Sequence, residues 1–320
     1  MNNLKKIGLT ALAGTLAATT AHAGTLSVGG TADINYQTHP EGSATGNPFS
    51  QSQTLSFTGS GDMDNGMTVN YSSAFTGAAF TASSVSIDMG DGGTIGLYSG
   101  AADGGGISAY QDVIPTAGEQ VWDDTGVASH GTTANGIVDQ GARANLAYNN
   151  SFGDITFSAD WARSAEGAEG SVVLVYDNLI DGLSIGYGVG ETQESAATTV
   201  STDLETAFVK YTTGPMVIGA QRSVVTPAVA TGADAATSEK TRDHVGVSFA
   251  VNENLSLSVG RSDLDYGSGS TLLDQTDAGI SASYTMGSTT VGFVHNKTSD
   301  AAGVANSDFE VNEIKLTFAF

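Results

Sequence analysis

The sequence predicts an all-β chain, a transmembrane antiparallel β-barrel of sixteen strands, and three observations carry that prediction. First, apolar and polar residues alternate with period two in segments of about ten residues, the length at which a tilted strand crosses a bilayer. Second, the connectors between those segments alternate short and long along the chain. Third, the last segment, Glu310–Phe320, sets Ile314, Leu316, Phe318 and Phe320 on one face and Glu313, Lys315, Thr317 and Ala319 on the other. It stops on an aromatic residue, where free ends are usually frayed and polar.

The opening residues read as a targeting segment. Lys5 and Lys6 precede the apolar run Ile7–Ala18, and Ala21-His22-Ala23 forms a small-x-small site. The run is too short to span a membrane and has the pattern of a secretory signal cut after Ala23, leaving 24–320 as one barrel domain. The chain contains no cysteine, so disulfides are excluded. It carries 11 basic and 34 acidic residues; without Lys5 and Lys6 the balance is 9 against 34, net −25. Nucleic-acid binding is excluded by that sign.

The strands follow in order. Leu26–Tyr36 places Leu26, Val28, Ile34 and Tyr36 on one face and Ser27, Thr31, Asp33 and Asn35 on the other. Gln53–Thr58 leads into Gly59–Met67, a hairpin whose Asn65-Gly66 supplies the positive φ angles of a tight turn. Met67–Phe75, Phe80–Met89 and Thr94–Ser99 continue the alternation, the last two joined at Asp91-Gly92-Gly93. After a long break come Ala142–Tyr148, Ile155–Trp161, Ser171–Tyr176, Leu183–Val189, Glu205–Tyr211 and Met216–Val224. Val245–Val251, Leu255–Arg261, Ala278–Met286, Thr289–His295 and Glu310–Phe320 complete sixteen. Val172-Val173 and Gln221-Arg222 leave the two faces of their strands undecided.

Asn149–Gly153, Asp177–Gly182, Thr213–Pro215, Asn252–Asn254 and Gly287–Ser288 are short turns. Arg163–Gly170, Glu191–Thr202, Thr226–Asp243, Asp263–Asp277 and Asn296–Ser307 are longer and polar. Sorting of short and long connectors to opposite ends is expected of an even-stranded membrane barrel, and closure leaves no strand edge for lipid to meet. Sixteen strands enclose water, not a packed interior. The inward faces are accordingly expected to be Ser, Gly, Thr, Asn and Asp. Tyr36, Phe75, Tyr148, Trp161, Tyr211, Phe318 and Phe320 stand where interfacial aromatic girdles form.

The closing strand with its terminal Phe320 resembles the assembly signature of outer-membrane barrels. The acidic, Gly-rich hairpin within Thr54–Met67 resembles the second hairpin of the Gram-negative general diffusion porins. That resemblance implies a passive channel for small hydrophilic solutes and ions in the outer membrane, homotrimeric, in contact with lipid and lipopolysaccharide. It also implies that Phe318 and Phe320 are read by the barrel assembly machinery. In the family the third extracellular loop folds inward and narrows the pore.

Here the third long connector, Gly100–Gly141, carries Ile107, Tyr110, Val113, Ile114, Val121, Trp122 and Val127, apolar bulk that needs a place inside. It also brings Asp103, Asp112, Glu119, Asp123, Asp124 and Asp139 and no lysine or arginine before Arg143. Carboxylates in a narrow aqueous channel concentrate cations, so Asp103, Asp112, Glu119, Asp123 and Asp124 are expected at the constriction, with Asp123-Asp124 the most firmly held. The sequence departs from the family in having no basic residue in its first five strands. Arg143 is the expected base of the lumen wall, with Lys210 and Lys315 inward on distant strands.

Mature histidines His39, His130, His244 and His295 have no metal-pair spacing, and neither a nucleophile elbow nor a phosphate loop occurs. No enzyme activity and no cofactor are expected; Asp62–Gly66 and Asp88–Gly93 leave weak Ca2+ binding open. A substrate-selective outer-membrane channel and a secreted acidic β-rich adhesin or surface protein remain the alternative readings.

Overall fold

The alternating segments form sixteen antiparallel strands that close on themselves in a computed structural model, which describes residues 24–38, 47–100, 104–123, 137–138, 144–163, 167–195, 200–227, 238–267 and 270–320. They are β1 (Thr25–Gln37), β2 (Phe49–Asp62), β3 (Thr68–Thr76), β4 (Ala79–Asp88), β5 (Thr94–Gly100), β6 (Asn145–Phe152), β7 (Ile155–Arg163) and β8 (Ala168–Asp177). There follow β9 (Leu183–Ser195), β10 (Val200–Thr213), β11 (Met216–Thr226), β12 (Lys240–Ala250), β13 (Leu255–Tyr266), β14 (Gln275–Met286), β15 (Thr289–Ser299) and β16 (Phe309–Ala319). Each strand pairs with its chain neighbours, and β16 returns to β1 in a register running from Thr31 opposite Ala319 to Gln37 opposite Glu313. Phe320 extends that seam: its N–H donates to Gly30 O at 3.0 Å and its carbonyl accepts from Gly30 N at 2.8 Å.

One end of the barrel is closed by tight turns such as Gly214-Pro215 and Gly287-Ser288, where Gly287 has φ of 60°. That backbone conformation suits a residue without a Cβ. The other end carries the long connectors, including 101–144. Outward rows such as Leu26, Val28 and Ile34 on β1, or Val245, Val259 and Ile280 across β12–β14, leave large apolar side chains uncovered. A continuous belt of that kind is unsuited to water and fits hydrocarbon. Above it, toward the long connectors, the outward face becomes charged. Arg222 donates to both carboxylate oxygens of Asp243, at 2.7 and 2.6 Å, and Arg261 to both of Asp263, at 2.9 and 2.7 Å.

Several strands run further toward the long-connector end than their apolar residues suggest. β12 begins at Lys240 where the apolar run starts at Val245, and β13 continues past Arg261 to Tyr266. The outward residues of both extensions are polar because they rise above the apolar belt. The undecided faces resolve: Val173 and Gln221 point inward and are buried, and Arg222 points outward. The inward face is also less uniformly polar than expected. Val173, Val175, Leu204, Phe208, Val225, Leu264 and Tyr266 project into the barrel and are buried there, because one connector enters and covers them. Residues 1–23 lie outside the described residues.

Candidate functional site

That connector leaves β5 and turns down inside the barrel. Its first contact is with β6–β8. Asn149 Nδ2 donates to Gly104 O at 2.6 Å, Gly106 N to Ser158 Oγ at 2.9 Å, and Ile107 N to Ser171 Oγ at 2.7 Å. Ser171 Oγ in turn donates to Asp160, which also accepts from Asn145 Nδ2 at 3.2 Å. The backbone comes so close to the wall that side chains are excluded. A Cβ at Gly104 would lie 2.0 Å from the Tyr98 ring, and one at Gly106 (φ +69°) 2.2 Å from Asp160 Oδ1. The Gly104–Gly106 run is what permits this approach.

A 3-10 turn, Ile107–Tyr110, then buries Ile107 completely in the cluster with Val173, Val175, Leu204 and Phe208. Tyr110 stacks on Phe208 with ring centroids 5.9 Å apart. Gln221 on β11 holds the next step from both sides, accepting from Val113 N at 3.0 Å and donating to Tyr110 O at 2.7 Å.

Beyond Val113 the loop meets a groove that sequence reasoning missed. Gly219, Gly246, Gly260 and Gly279, on β11 to β14, stand directly opposite one another in register. A Cβ on Gly219 would be 2.6 Å from Pro115 and one on Gly246 2.6 Å from Ile114; one on Gly260 would be 3.0 Å from Val121. Four aligned glycines thus make a trough into which the loop tip sinks. The signal was present as one glycine at the matching place of four successive strands.

The tip is pinned at both margins of this trough. Ala117 N donates to Ser258 Oγ at 2.9 Å, and Asn296 Nδ2 to Gln120 O at 2.9 Å. Trp122 packs edge-on against His244 at 4.5 Å, with the Arg242 guanidinium 4.2 Å over its ring. Arg242, 3% exposed, is 3.7 Å from the buried Asp277 carboxylate, which also accepts from Thr298 at 2.6 Å. Such a cation held over indole contributes about 2 kcal/mol when desolvated.

Three of the expected constriction acids are described. Glu119 reaches β16 and pairs with Lys315. Asp123 turns toward the wall and accepts from Gln120 N at 2.9 Å. Burial, reinforced by the charges of Glu119 and Asp112, lifts its carboxyl to about 7. Asp112 is half-buried between Gln111 and Val113. Asp103, Asp124, Asp139 and Arg143 lie outside the described residues. Lys315, placed by the sequence on a distant strand, is brought to the loop because the loop sweeps along the inner wall from β6 to β16. Lys210 shares the inward face of β10 with Thr206 and Phe208, close to the turn at Gly214.

The described loop residues leave the wall of β1–β4 uncovered. Its inward rows, paired in register, are Thr31, Asp33 and Asn35, then Ser50 to Thr58 in steps of two, then Ser72 and Ser84. Hydroxyls meet across strands, as between Ser72 and Ser84 at 2.8 Å, and Ser52 donates to Asp33 at 3.0 Å. Among the described residues no three His, Cys, Asp or Glu side chains gather as a metal site. The carboxylates of the two Gly-rich turns serve local bonds, Asp62 accepting from Thr68 and Asp88 from Gly90 N.

The barrel superposes on solved structures. A porin structure superposes with a TM-score of 0.67 at 18% identity, covering 92% of this chain and 100% of its own. The chain has the porin fold. The anion-selective porin of Comamonas acidovorans matches with a TM-score of 0.65 at 16% identity over 93% of this chain and 100% of that one. OmpT, an outer membrane protein of Vibrio cholerae, matches with a TM-score of 0.67 at 9% identity over 93% and 98%. No protein-family model and no curated protein sequence matches the chain.

Proposed function

We propose that this chain is a passive aqueous channel for small hydrophilic solutes and ions across the outer membrane of a Gram-negative bacterium, with a preference for cations. The observation that carries the reading is the inward loop, whose described residues pack along the wall from β5 to β16 and leave the hydroxyl wall of β1–β4 facing the lumen. Hydroxyls replace hydration water without demanding a charge, which suits neutral polar solutes. The cation preference rests on sign. β1–β5 contain no lysine or arginine, and the loop brings Asp112 and Glu119 to a water-filled space between low-dielectric walls. The anion-selective porin among the neighbours shares the fold, so charge preference follows from the local residues and not from the barrel. No catalytic step is assigned to it.

By resemblance the channel is a homotrimer, surrounded by outer-membrane lipid and lipopolysaccharide and assembled through recognition of Phe318 and Phe320. The outer charged pairs Arg222–Asp243 and Arg261–Asp263 stand where polar headgroups would meet the barrel. A planar-bilayer recording in a salt gradient tests the reading. Stepwise conductance with a zero-current potential of cation-selective sign is expected, weakening toward 1 M salt as the Debye length falls to about 3 Å. An anion-selective potential overturns the charge preference, and the lack of any conductance overturns the channel.

A further inference from the structure

We propose that Lys315 sets the ion selectivity of the constriction by masking two carboxylates, Glu119 on the inner loop and Glu313 beside it on β16. The proposal rests on the channel reading above and names the residue that tunes it. Lys315 stands where the described part of the loop reaches β16, next to the hydroxyl wall that begins at β1. On one side it is opposite Asn35 of β1, and on the other opposite Gly292 of β15. Gly292 offers no side chain, which leaves the lysine stem room to rise toward the loop.

Its ammonium pairs with Glu119 and lies 3.3 Å from Glu313 Oε1. Glu313 is 1% exposed and accepts from Asn35 Nδ2 at 3.0 Å through its other oxygen. Glu313 Oε1 makes no aligned hydrogen bond, so it is held by the charge of Lys315. The three groups sum to one negative charge at the edge of the path.

The other inward bases among the described residues stand elsewhere: Arg242 is covered by Trp122 and committed to Asp277, Lys240 lies beyond it at the long-connector end of β12, Lys210 stands near a turn, and β1–β5 have none. Removing the ammonium would double the local negative charge, and removing Glu119 would cancel it. Both changes also cut the tether between loop tip and β16. The two therefore share any effect of loop release and differ in the sign of the charge effect.

The experiment compares wild type, K315Q, E119Q and K315R in bilayers under one salt gradient, after heat-shifted gel mobility has shown that each is folded. K315Q is expected to raise the cation-to-anion permeability ratio about tenfold, because one unit charge at about 6 Å through water favours a cation about threefold and disfavours an anion by the same factor, and E119Q to lower it by a similar factor. K315R should leave the ratio near wild type. Shifts of the same sign in K315Q and E119Q, or no shift in either, overturn the assignment and reduce Lys315 to a tether. If K315Q does not fold, E119Q decides: a fall in cation preference supports the masking pair, and an unchanged ratio overturns it. Wild-type protein that folds without conducting overturns the channel reading itself, an outcome separable from failure of the lysine assignment.

Discussion

The glycine at 246 shows how much of the channel is decided by absent side chains. Its neighbours across the sheet, Gly219 and Gly260, are also glycine, and the missing Cβ atoms are what admit Ile114 and Pro115. Strand glycines weaken a sheet, so a run of them in register marks close approach by another backbone. Gly246→Val would set carbon 2.6 Å from Ile114 Cγ2. Overpacking of this kind costs about 1–3 kcal/mol, which shifts the ratio of seated to unseated loop about five- to 150-fold. The expected outcome is a folded barrel, unchanged in heat-shifted mobility, whose single-channel conductance is larger and noisier than wild type. Valine at Gly287 is the contrasting change, since that glycine meets no neighbour within 4 Å and its strain would fall on the turn alone.

At the scale of elements the inner loop is a separate packing unit laid on the barrel wall. Ile107, Tyr110, Trp122 and the inward Val173, Leu204 and Phe208 supply its apolar contact. Asp123 makes that packing sensitive to pH. Its carboxyl, raised to about 7 by burial and then by Glu119 and Asp112, ionises near 3.8 when the loop is free. The seated loop therefore binds a proton that the free loop releases between pH 4 and 7. Seating strengthens as pH falls through that window, and above about 7 it is weakest and no longer changes. Wild-type channels should be quieter at pH 5 than at pH 8, and Asp123→Asn should flatten that dependence. A pH response of equal size in D123N would locate the titrating group elsewhere.

Much of this element was legible in the sequence: its apolar residues exceeded those of the other long connectors, and an inward position followed from Trp122 and Ile107. The wall that receives it was not legible. Val173 and Phe208 face a lumen that, without the loop, would be water, and periodicity alone cannot say which lumen residues are covered. Lys240–Asp243 looked like loop because a strand above the apolar belt needs no apolar face. The distance from Lys315 to the loop was hidden too, since it depends on how far around the wall twenty residues can travel.

At the scale of the whole molecule, the barrel is complete only when β16 meets β1. Seven residues of each strand pair across that seam, from Thr31 to Gln37 against Glu313 to Ala319, and Phe320 adds two further bonds to Gly30. In hydrocarbon no water can replace those partners, so unpaired N–H and C=O groups there each cost several kcal/mol. Deleting Phe320 frees both Gly30 groups. It also removes a ring that lies about 3.5 Å from where a Cβ of Gly30 would be, leaving that stretch of β1 uncovered. Ordinary strand ends fray without consequence, but this one closes the last gap in a lipid-facing wall. The expected result is a protein exported at normal levels yet largely lacking the heat-shifted, membrane-embedded form. Replacing Phe320 by Tyr keeps the backbone bonds and most of the ring, and should restore assembly. If the deletion instead assembles as well as wild type, the seam is held by the seven inner pairs alone and Phe320 is dispensable to closure.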